Sequence, residues 1–121
     1  MPTDSALTHP PQTLFSGQTE TTATGVMLLH GRSARVTVAV IGVGTLSTGV
    51  VTIEEAYYTG DDPASAYTGT WSPITTVTAS TLTGGAQTIV HITGSVWALR
   101  ARISTTVTGS GGSVSCVAWS N

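Results

Sequence analysis

The stretch ARVTVAVIGV, residues 34–43, alternates with a period of two: Val36, Val38 and Val40 share one parity, and Arg35, Thr37 and Ala39 the other. Side chains two apart lie on one face of a strand, so this parity describes a strand with one face in a core and the other outside it. The texture recurs. Short apolar runs return about every 8–15 residues, with Gly, Ser, Asp or Pro between them, and no segment holds a 3.6-residue apolar stripe over three turns. A chain built this way can close its core only as an all-β sandwich or barrel.

The expected strands are 13–17 (a short edge strand), 24–31, 34–43, 48–59, 69–80, 87–93, 95–105 and 113–120. About eight strands in two sheets is the jelly-roll count. Val51 and Ile53 extend the inward set, and Glu55 breaks the period, which predicts a bulge or an exit from the core. Pro73 restricts its strand to an edge, because it lacks the N–H that a central strand must donate. Parity places Val36, Val38, Val40, Val51, Ile53, Trp97, Leu99, Ile103 and Cys116 inside. The GSGG segment, 109–112, reads as a hairpin loop between the last two strands, and TGDDP and TGG as turns. Residues 1–12 are polar and Pro-rich, which predicts an extended N-terminal arm outside a sandwich domain of residues 13–121.

A length of 121 residues suits one domain that buries roughly two-thirds of its unfolded surface without help from metals or disulfides. The single Cys116 can form no internal disulfide and no metal cluster, and is expected to be a buried apolar thiol. Charge is scarce: 8% of residues, net −2, with no lysine and only Arg32, Arg35, Arg100 and Arg102 as basic residues. A nucleic-acid partner would require a basic stripe, and a phosphate loop would require a lysine. With 24 Thr and 13 Ser, hydroxyls supply most of the polar surface, which suits a protein largely covered by neighbours. Neither a basic-plus-apolar leader nor an apolar run of about 18 residues is present, so the chain is expected to be made in a cytoplasm and to have no membrane partner.

Chemistry-bearing residues do not assemble into a reaction centre. GRSAR around Ser33 is not a nucleophile elbow. His9, His30 and His91 share no ligand spacing, and His91 shares a face with Ile89 as a packed or rim histidine. Glu54 and Glu55 are adjacent, so in a strand they point to opposite faces and make a poor acid–base pair. Asp61-Asp62-Pro63 reads as a turn rather than a calcium loop. The expectation is a non-enzyme with no catalytic, metal or cofactor-binding residues. Tyr57, Tyr58, Tyr67 and Trp71 cluster around one loop, either as core and interface anchors or as a sugar-stacking platform.

Arg100 and Arg102 are half of the basic residues and share the face opposite Trp97, Leu99 and Ile103. Arg suits bidentate carboxylate contacts and interface burial. Glu54 is their natural partner if it points to the same outer side, within the chain or across a subunit boundary. A solvated surface pair and an intersubunit contact both remain open at this point.

The segment from residue 48 to 119 resembles small β-sandwich structural proteins of tailed-phage virions. The resemblance rests on Gly49 to Glu54 (GVVTIE), the acidic-Gly turn Gly60 to Asp62, Gly69 to Ile74 (GTWSPI), Trp97 to Arg102 (WALRAR) and Gly111 to Ser115 (GGSVS). It implies a jelly-roll-like antiparallel sandwich and a role as a head decoration, or cement, protein on the capsid exterior. The implied partners are the major capsid protein and further copies of the chain, as a dimer or trimer. The alternative is a carbohydrate-binding or adhesion module on a head fibre or tail. The candidate interface residues are Arg100, Arg102, Glu54, Tyr57, Tyr58, Pro10 and Pro11.

Overall fold

A computed structural model describes residues 9–32, 35–62 and 68–120. Eight strands run in chain order: β1 His9–Gln18, β2 Thr24–Leu28, β3 Arg35–Val43, β4 Thr48–Ala56, β5 Ser72–Thr78, β6 Gln87–Thr93, β7 Ala98–Thr108 and β8 Ser113–Ser120. A short 3-10 segment, Ala79–Gly85, joins β5 to β6. The strands form two antiparallel four-stranded sheets, the first in the order β1-β8-β3-β6 and the second β2-β7-β4-β5. Pairing is nested: β4 with β5, β3 with β6, β2 with β7 and β1 with β8. The chain is thus one long hairpin turned at β4–β5 and rolled up, with β3–β8 and β4–β7 ladders closing the roll. That is the jelly-roll arrangement.

The period-two residues explain where the core sits. Val36, Val38 and Val40 of β3 lie beside Val114, Cys116 and Ala118 of β8, all at or near zero exposure. Facing them, Val51 and Ile53 of β4 adjoin Leu99, Ala101 and Ile103 of β7. Each fully buried aliphatic side chain contributes about 1.5–3 kcal/mol relative to exposure, so two apolar faces of this kind suffice to hold the sheets together. At the edge the sheets come very close: a Cβ on Gly25 of β2 would collide with the backbone carbonyl of Leu14 in β1, so only glycine fits there.

Several expectations need correction. The first strand starts at His9, so His9, Pro10, Pro11 and Gln12 belong to the sheet and not to an arm; residues 1–8 lie outside the described residues. The GSGG segment is no hairpin. It carries the chain from β7 in the second sheet to β8 in the first, because successive strands of a rolled hairpin mostly fall in opposite sheets. Trp97 is half-buried and precedes β7; Val96 takes the buried position. The cause is local: the Trp97 carbonyl accepts from the backbone N–H groups of Leu29 and His30, and the Val96 carbonyl from that of Gly31, which ties the segment to the turn after β2. The irregularity expected at Glu55 falls one residue earlier. Ile53 pairs with Thr75 and Glu54 with Pro73, so Ile74 is the extra residue. β5 is an edge strand, as Pro73 requires.

Candidate functional site

On the outer face of the second sheet, register alone builds a charged row. Val26 of β2 pairs with Arg100 of β7, Arg100 with Glu54 of β4, and Glu54 with Pro73 of β5. One step along, Thr24, Arg102 and Thr52 form the next row. Because Val51 and Ile53 face the core, Glu54 must face outward with both arginines. The three charged side chains meet there. Glu54 Oε1 accepts from Arg100 Nε at 2.7 Å and from Arg102 Nε at 3.1 Å, and Arg100 Nη2 lies 2.6 Å from the same oxygen.

The carboxylate is the deepest member of the cluster. Its side chain is only 6% exposed, against 26% for Arg100 and 37% for Arg102. Trp71 supplies part of the cover: its ring sits 4.6 Å from the Arg100 guanidinium carbon, in cation–π geometry, and is itself buried. Thr52 completes the floor, donating to Ser104 Oγ at 2.7 Å, and Ser104 donates to the Val50 carbonyl at 3.3 Å. Two guanidiniums against one carboxylate leave a net charge of +1, carried on the more exposed groups. A carboxylate buried beneath two arginines on a sheet's outer face is not how a simply solvated surface is built.

The other candidate residues lie apart from this cluster. Glu55, on the opposite parity, is half-buried and joins none of these bonds. Tyr57 is 70% exposed beyond the end of β4 and meets Trp97 edge-on, with ring centroids 4.9 Å apart. Tyr58 is half-buried. Pro10 and Pro11 are exposed on β1, an edge strand of the first sheet, where two residues without N–H discourage strand addition. Tyr67, Ser33 and Pro63 lie outside the described residues. The aromatic residues therefore divide: Trp71 covers Arg100, while Tyr57 and Trp97 form a separate pair.

At the end of the sandwich near Trp97, His30 has a left-handed backbone with φ of 54°, and its Nε2 lies 3.6 Å from the exposed Asp61 carboxylate. His9 Nδ1 is 2.8 Å from Ser120 Oγ. Burial, and secondarily the charge of His30, holds the His9 imidazole below the ordinary histidine pKa. Burial pushes the Cys116 thiol up to about 12. Among the described residues no three of His, Cys, Asp and Glu come together as a metal site, and no helix is long and apolar enough to cross a membrane. Sequence reasoning identified Arg100, Arg102 and Glu54 but not the part of Trp71, whose place over Arg100 depends on the β4–β5 register. Compared with protein-family models and with curated proteins, the chain finds no match, so the charged row and its cover stand as the chemistry from which a role must be inferred.

Proposed function

We propose that the chain is a decoration protein of a tailed-phage head, which docks on the assembled shell through the outer face of the second sheet. The observation that carries this reading is the Glu54–Arg100–Arg102 cluster, with a buried carboxylate and a residual positive charge on partly exposed guanidiniums. Among the described residues Arg102 is held by a single 3.1 Å bond, and it is more than one-third exposed, so its guanidinium retains donors for a carboxylate on a neighbouring subunit. The low charge of the chain and its hydroxyl-rich surface suit a protein covered on several sides. A protein that binds the lattice and not free subunits stabilises the lattice by mass action, without a reaction. The resemblance of residues 48–119 to virion sandwich proteins points the same way.

The test is co-sedimentation with expanded phage shells, wild type against Arg102→Gln. The expected outcome is a folded variant that is retained about tenfold less, the effect of losing a charge-assisted bond in a desolvated contact. Equal retention of the two proteins, or failure of the wild type to bind any shell, overturns the reading.

A further inference from the structure

The outer face of the first sheet carries a feature unconnected with the charged row. On β3, Thr37 lies between His91 of β6 and Trp119 of β8. A short side chain between two large ones on flanking strands makes a trough. Two strand spacings separate its walls, about 9–10 Å between strand axes. Arg35, two residues back on β3, closes one end, with Thr93 paired beside it. The cavity so formed measures about 370 Å³ and is lined by Arg35, Thr37, His91, Thr93 and Trp119 above the backbones of Val36 and Ile92. This is at the lower end of the range for small-molecule sites.

We propose that this trough binds a carboxylated sugar. The Trp119 ring supplies a flat apolar wall for a sugar face. Arg35 supplies a cation at one end, and among the described residues no carboxylate pairs with it. A chain with four basic residues therefore directs one of them at a cleft whose lining, among the described residues, includes no acidic side chain. Guanidinium geometry favours a carboxylate, which it can grip with two parallel bonds. The remaining wall groups are hydroxyls and an imidazole: Thr37, Thr93 and His91, the last with Nδ1 3.4 Å from Thr37 Oγ1. Around a sugar ring these groups find hydroxyl partners; around a hydrocarbon acid they would lose water and gain nothing. The trough lies on the opposite sheet from the charged row, so its occupancy is independent of shell binding.

The experiment is an NMR titration of the ¹⁵N-labelled full chain with oligogalacturonate, its neutral methyl ester and acetate. The expected result is saturable shifts of the Trp119 indole N–H and of the His91 and Thr93 amides with oligogalacturonate. Binding should weaken by about tenfold or more with the methyl ester, and equally with oligogalacturonate added to Arg35→Gln, since both remove one charge-assisted contact. Arg35 is exposed, so that variant keeps its fold. No shifts at these residues, shifts indifferent to the ester and to Arg35→Gln, or acetate binding as tightly as the sugar acid would each overturn the proposal.

Discussion

Arg100 meets Glu54 through the side of its guanidinium: its Nη2 at 2.6 Å and its Nε at 2.7 Å both converge on one carboxylate oxygen. Removing that charge leaves two guanidiniums facing each other in a poorly hydrated place. Glu54→Gln is expected to lower unfolding stability by about 2–3 kcal/mol, below the full cost of breaking a buried pair because both arginines keep some water. Urea denaturation reads this as a lower midpoint at unchanged slope. A loss under about 0.5 kcal/mol would mean that the cluster behaves as an exposed pair.

The two arginines are not equivalent. Arg100 makes two short contacts and lies against Trp71, whereas Arg102 makes one longer contact. Arg100→Gln should therefore destabilise the domain more than Arg102→Gln, and a double-mutant cycle of Glu54 with Arg100 should give a coupling of about 1–3 kcal/mol. The reverse order would show that the Trp71 contact adds nothing.

Cys116 is fully buried, and burial raises its thiol pKa to about 12. A thiol reagent at neutral pH should leave the native protein unmodified and label it at once in denaturant. Slow labelling in native buffer should require transient opening and therefore rise with denaturant or with destabilising substitutions. Prompt native labelling would place Cys116 outside the core.

The lowered His9 pKa sets a sign for stability against pH. As pH falls through the ordinary histidine value near 6.5, the unfolded chain takes up a proton that the folded chain still refuses. Stability falls over that window and levels off below the native value. His9→Gln should reduce the drop in thermal midpoint between about pH 7.5 and pH 5, a range chosen to span that shift. An unchanged pH profile in the variant would assign the dependence to other groups.

Gly25 has no room for a methyl group beside the Leu14 carbonyl, and backbone cannot step aside as a flexible side chain would. Gly25→Ala is expected to cost at least about 2 kcal/mol by calorimetry or urea denaturation. A neutral result would mean that β1 shifts freely against β2.

Parity was legible in the sequence because it is local. It placed Val36, Val51, Leu99 and Ile103 inside and Arg100 and Arg102 outside, as found. Adjacency was not legible, because partners in a rolled hairpin are far apart in the chain. Glu54 and Arg100 lie 46 residues apart, and only the β4–β7 register decides that their contact is made within the chain. GSGG looked like a hairpin because a glycine loop between two strands reads the same whether or not the strands pair. Trp97 failed as a core residue because its parity was extended past the true start of β7 at Ala98. The trough needed three registers at once, through His91, Thr37 and Trp119, and no single stretch of sequence contains them.

The nested pairing has a mechanical consequence. His9 pairs with Ser120, so the first residue of β1 and the last of β8 lie side by side at one extremity of the sandwich. A load applied between those two residues acts across the first rung of the β1–β8 ladder and opens its rungs one after another, as a zip opens, instead of shearing them together. Tension along this line peels β1 away at low force. Load spread over the broad sheet faces meets the close-packed interior of both sheets at once. The module is compliant to pulling at its ends and stiff to compression through its faces.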